Sequence, residues 1–178
     1  MKRRRQGFTL IEVMISLAIA GSALVAIFAM QEAIARGNGL SREMTAATAN
    51  TRMWIERLRR DSLLWTGDNA VALAQTSYLQ QVGAGWIQPI PANPFPNFVE
   101  GSGADWSGNE TNVAADQHFC TAINLTWIRQ FQTMRADVVT YWSRQGRLDC
   151  ANPAVGALAT PAQGIRQVAA STVLRRAR

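Results

Sequence analysis

Few of the side chains in this chain are equipped for chemistry. His118 is the single histidine among 178 residues, and Cys120 and Cys150 are the two cysteines. A histidine-based triad needs partners around the imidazole, a multi-histidine metal site needs more than one, and two cysteines with one histidine at these spacings make a poor zinc site. The 12 acidic residues are scattered, so nothing ties a pair into one cleft, and there is no glycine-rich phosphate loop. These residues assign no catalytic group, no metal and no cofactor, and the chain reads as something other than an enzyme. One carboxylate stands out by its placement. Glu12 is the only charged residue between Phe8 and Met30, and a carboxylate at a membrane-helix centre costs about 2.5 to 3.5 kcal/mol, somewhat less near an end.

The element that carries Glu12 is long and apolar. As a helix, residues 8–30 would span about 34 Å, against a hydrocarbon core of about 30 Å. Lys2, Arg3, Arg4 and Arg5 precede it and would stay cytoplasmic, which sends everything after Met30 to the outer side of the membrane. An ordinary secretory signal, cut near Ala18-Ile19-Ala20, is the plain alternative, but such a signal has no use for Glu12. The net charge of +6 invites a nucleic-acid partner. Beyond the basic cluster, however, 14 of the 18 basic residues face 12 acidic ones, and a general attraction to phosphate is weakly supported.

Arg5-Gln6-Gly7-Phe8-Thr9-Leu10-Ile11-Glu12-Val13 resembles the type III signal of type IV pilins and type II secretion pseudopilins: a short basic leader, a glycine, then Phe-Thr-Leu-Ile-Glu and an apolar helix. The resemblance covers residues 2–30. It implies that prepilin peptidase cuts after Gly7 and that the new terminal residue, Phe8, is N-methylated. Cleavage would leave a cationic amine on Phe8, four residues before Glu12, at a helix start whose dipole also favours a carboxylate. In an assembled filament the resemblance has Glu12 meet the amine of a neighbouring subunit and set the axial register. Such a buried pair adds little net stability but penalises wrong registers.

Beyond Met30 the helical pattern continues. Leu40, Met44, Ala47, Thr51, Trp54, Leu58 and Trp65 recur at alternating steps of four and three, with Asp61 the one charged interruption, and Glu32/Arg36 and Glu56/Arg60 lie at i, i+4 on other faces. This predicts one long helix, with Gly21 and Gly37-Asn38-Gly39 as weak points. Glycines and prolines break any pattern over 66–117, which reads as loops with short elements at 71–82; Trp86, Phe95, Phe98 and Trp106 are expected to pin those loops to the core, with a ligand-binding aromatic surface as the alternative. Ile123–Ile128, Ala136–Trp142 and Gln167–Leu174 have strand character, with a turn at Arg144–Arg147.

The fold class is therefore α+β: a type IV pilin-like long helix, half transmembrane and half packed on a small antiparallel head. The expected boundaries are a cleaved leader at 1–7, a membrane or filament-core half at 8–30, an amphipathic half at 31–65 and the head at 66–178. Outside the inner membrane Cys120 and Cys150 are expected to form a disulfide, contributing about 3 to 4 kcal/mol by loop closure, with two free thiols as the alternative; a bridged carboxyl-terminal loop also resembles pilin heads.

Three features tilt the reading toward a minor pilin: no proline in the apolar helix, a Trp-rich head with an irregular middle, and a terminal strand at Val168–Arg178 that resembles PilV-like minor pilins. That resemblance implies a subunit that primes assembly and sits at the pilus tip. Its partners would be other minor pilins, the major pilin, prepilin peptidase, the inner-membrane assembly platform and a tip adhesin. Before assembly it would be a single-pass inner-membrane protein with a periplasmic head. A type II secretion pseudopilin is the alternative, then a major pilin. A further class is a pilin that binds DNA through Arg175, Arg176 and Arg178, or a surface through its aromatic loops; the basic tail reads more simply as a solvated end.

Overall fold

The computed structural model of the protein describes residues 9–90, 103–111, 113–143, 148, 150 and 164–177. The chain divides into two compact units, Met1–Arg42 and Glu43–Arg178. In the first, residues 9–38 are exposed throughout, and from Leu10 they belong to the helix α1, Leu10–Ser62, which continues into the second unit. Gly37 and Gly39 do not interrupt it. The first proline lies beyond the helix, and the apolar stretch meets no residue that withholds a backbone donor. Arg36 pairs with Glu32 as its spacing predicts, whereas Glu56 pairs at 2.7 Å with Arg59, at i, i+3, rather than with Arg60.

In the second unit the α1 stripe is buried at Ala47, Thr51, Trp54 and Leu58, while Met44 is exposed. Asp61 also lies on this stripe and is buried, so it continues the buried face instead of interrupting it. Its carboxylate accepts backbone N–H bonds from Ser77 (2.7 Å), Tyr78 (2.8 Å) and Leu79 (3.1 Å), and so anchors the short helical turn Leu79–Gln81. The helix ends at Ser62, and a turn delivers Trp65 into the core. A four-residue helix α2, Ala70–Leu73, follows, its N-terminus capped by Asn69, whose Oδ1 accepts from the Ala72 N–H.

Three dipeptide strands occupy the irregular middle: β1 (Trp86–Ile87), β2 (Gly103–Ala104) and β3 (Glu110–Thr111). Three eleven-residue strands complete the sheet: β4 (Phe119–Arg129), β5 (Thr133–Ser143) and β6 (Ile165–Arg175). All pairings are antiparallel in the order β3-β2-β4-β5-β6, with β1 beside β4. The three long strands contain the predicted ones and extend past them. The turn expected at 144–147 lies outside the described residues. The β4–β5 hairpin turns at 130–132, where Phe131 takes a positive φ of 54° and its ring packs on Trp127 at 5.4 Å.

Alternation divides the sheet's side chains between two cores. On one face Ile123, Leu125, Met134 and Val138 meet Trp54 and Leu58 of α1. On the other Cys120, Ala122, Val139 and Tyr141 gather around Cys150, with Trp86 and Ile165 at the margin. Polar groups tie helix to sheet as well. Thr51 Oγ1 lies 2.8 Å from Thr140 Oγ1, which is 3.3 Å from that of Thr121, and buried Glu43 accepts a 3.0 Å bond from Trp142 Nε1.

Candidate functional site

At the amino terminus, the geometry around Glu12 follows from local sequence. Thr9-Leu10-Ile11-Glu12 has the form of a capping box, in which an N-cap hydroxyl and a glutamate three residues on exchange bonds with each other's backbone N–H. The structure shows both halves. Thr9 N and Oγ1 lie 3.3 and 3.2 Å from Glu12 Oε2, and the Glu12 N–H points to Thr9 Oγ1 at 3.4 Å. In the single subunit Glu12 therefore has a partner in its own first turn, a role that sequence reading missed although the Thr-x-x-Glu pattern was there to find it. Ser16 Oγ donates to the Glu12 carbonyl at 2.8 Å. Around this turn Leu10, Ile11, Met14 and Leu17 are exposed apolar side chains, and α1 is long and apolar enough to cross a membrane. Gly7 and Phe8, the expected cut and methylation residues, lie outside the described residues.

In the head the structure joins Cys120 and Cys150 in a disulfide, with Cα atoms 5.1 Å apart, that ties β4 to the chain preceding β6. Gly103 makes this possible: a Cβ there would stand 2.6 Å from the Phe119 carbonyl and 2.9 Å from Cys150 Sγ. No group of three or more His, Cys, Asp or Glu side chains that could hold a metal occurs among the described residues.

A second arrangement surrounds His118. Its imidazole stacks on the Trp106 indole, centroids 3.9 Å apart and planes 16° from parallel, and meets Phe119 edge-on at 4.7 Å. Burial pushes the His118 pKa down, partly opposed by the Glu43 carboxylate. Asp105 Oδ1 accepts the N–H groups of Ser107 and Asn109 at 2.8 and 2.9 Å, which fixes the loop that carries Trp106. A cleft of about 490 Å³ opens here, lined by Asp105, Trp106, Ser107, Thr111, Asp116 and Gln117 along with His118. Trp106 was expected to anchor a loop in the core, as Trp86 partly does; it is instead 64% exposed. Phe95 and Phe98 lie outside the described residues. Of the terminal arginines, Arg175 ends β6 and Arg176 lies 3.8 Å from Asp68.

The family model of the prokaryotic N-terminal methylation motif matches residues 2–28. No curated protein and no solved structure matches the chain. The amino terminus is thus a type IV pilin-like prepilin signal, and the long apolar helix followed by an antiparallel sheet head has the α+β plan of the type IV pilin fold. The motif belongs to structural subunits. It implies a substrate of prepilin peptidase that is anchored in a membrane before it joins assembly partners.

Proposed function

We propose that the protein is a minor pilin: a structural subunit of a type IV pilus machine, cut after Gly7 and N-methylated on Phe8, that primes filament assembly. The observation that carries this reading is the prepilin signal over residues 2–28, with Glu12 in its first helical turn. Residues 1–7 form the leader, 8–30 the membrane and filament-core segment and 31–65 the amphipathic half of the helix, with the head completed by 66–178. Glu12 leaves Thr9 and pairs with the terminal amine of a neighbour while the exposed apolar side chains of α1 pack into the filament core. A subunit out of register leaves a buried carboxylate unpaired, at a cost of about 3 to 5 kcal/mol. The lack of proline before Pro89 and the six tryptophans favour a minor over a major pilin. The proposed neighbours are other minor pilins and the major pilin, together with a tip adhesin and the inner-membrane platform; the proposed final location is the pilus tip.

Two experiments test this. Glu12→Ala subunits are expected to be processed normally yet to enter filaments poorly; equal incorporation would remove the register role. Cysteines placed along residues 14–30 and cross-linked in cells are expected to capture minor and major pilins. Capture of type II secretion pseudopilins alone would assign the chain to that machine instead.

A further inference from the structure

Among the described residues of the second unit, large aromatic side chains are buried or half-buried, with one exception. Trp106 exposes 64% of its surface, at the mouth of the cleft described above. An exposed indole is ordinarily free to change rotamer, but this one is fixed. His118 covers one face, Phe119 packs against the edge of that imidazole, and Phe119 is itself fully buried against Trp142. The opposite face of the indole is left as a rigid apolar platform, and such an exposed aromatic beside a concave surface marks a binding site more often than an isolated exposed aliphatic does.

The lining decides what the platform suits. It contains no Lys or Arg, and His118 is held toward its neutral form, so an anion has no counter-charge there. An organic cation is best held by a cage of several aromatic faces, and here there is a single open face. What remains is directional: the Ser107 and Thr111 hydroxyls, the Gln117 amide and the Asp105 and Asp116 carboxylates around one apolar plate. His118 Nε2 is buried and has no hydrogen-bond partner among the described residues. We propose that this cleft binds a neutral saccharide, with the C–H face of one pyranose ring on the Trp106 indole and its hydroxyls on the surrounding polar groups. The volume of about 490 Å³ lies within the range of small-ligand sites, about 300 to 1,000 Å³.

The proposal does not rest on the minor pilin reading, and its test reads nothing about assembly. Full-length protein in a detergent without sugar headgroups is titrated with maltose, cellobiose or N,N′-diacetylchitobiose while the indole N–H resonances are followed, with the Trp106 signal assigned by Trp106→Phe. Titration to about 50 mM saturates any site with a dissociation constant of the order of 1 mM. The expected result is a saturable shift of the Trp106 signal with at least one disaccharide. By calorimetry, Trp106→Ala should weaken that binding about tenfold or more, and Asp116→Ala should weaken it by a smaller factor. Both variants should keep the Cys120–Cys150 bridge and the remaining indole shifts, which separates loss of binding from loss of fold. Absence of a saturable shift with all three sugars would overturn the proposal. So would a shift with tetramethylammonium chloride and none with sugars, or undiminished binding by Trp106→Ala.

Discussion

Replacing Asp61 by alanine tests how the head holds its irregular middle. The carboxylate accepts three backbone N–H bonds at 2.7 to 3.1 Å, from Ser77, Tyr78 and Leu79. Ser77 and Tyr78 are half-buried, so water can reach their amides once the acceptor is gone, whereas Leu79 is fully buried and its N–H would be orphaned. A buried amide left unsatisfied costs about 1 to 3 kcal/mol, and each lost bond to a charged acceptor about 1.5 to 3 kcal/mol, less where water substitutes. Relief from burying a carboxylate offsets part of this. The expected loss is about 3 kcal/mol, which at about 2 to 4 °C per kcal/mol lowers the head's Tm by roughly 6 to 12 °C. Near-UV circular dichroism of the full-length protein during thermal unfolding measures it, since Trp54 and Tyr78 pack edge-on at 5.6 Å beside this turn. A Tm unchanged from wild type would mean that the turn over 77–81 holds itself and that Asp61 is merely tolerated in the core.

Other perturbations have equally definite outcomes. Gly103→Ala forces a Cβ against the Phe119 carbonyl, so it should destabilise the head by about 1 to 3 kcal/mol, read by the same unfolding assay. Under non-reducing conditions the intact mass should be two hydrogens below that of the reduced protein, and reduction should cost about 3 to 4 kcal/mol of stability. Because burial lowers the folded-state pKa of His118, the unfolded chain binds the proton more readily. That part of the stability is complete above pH 6.5 and is lost as pH falls below it, and His118→Gln should flatten the dependence in a pH series of urea melts. Thr9→Val removes the N-cap hydroxyl and should cost the first turn of α1 about 1 kcal/mol, seen as faster amide exchange over residues 11–13.

The long helix and its stripe were legible because burial of one face imposes a period that residue types record directly. Asp61 was misread as an interruption because its partners are backbone N–H groups, which leave no mark in a sequence. The three long strands were visible in their β-branched and aromatic runs. Strands β1 to β3 were not, since two residues are too few to show alternation. The hairpin turn at Gln130-Phe131-Gln132 contains no glycine, proline or asparagine, and a phenylalanine holds its positive φ through a contact with Trp127 that only the folded sheet supplies. Residue type favours Trp106 as a loop anchor over an exposed aromatic surface, but its stack with His118 leaves it facing outward.

The division of α1 between two units has a consequence for what can be exchanged among related chains. From Glu43 onward the helix is the property of its own sheet: Glu43 is bonded to Trp142, Thr51 to Thr140, and Trp54 and Leu58 fill the space over β4 and β5. Upstream, residues 9–38 are exposed throughout, and their apolar side chains answer to whatever solvent, lipid or neighbour surrounds them. A transplant joined ahead of Glu43 therefore moves the head whole, while one joined at the helix end leaves behind part of the head's interior.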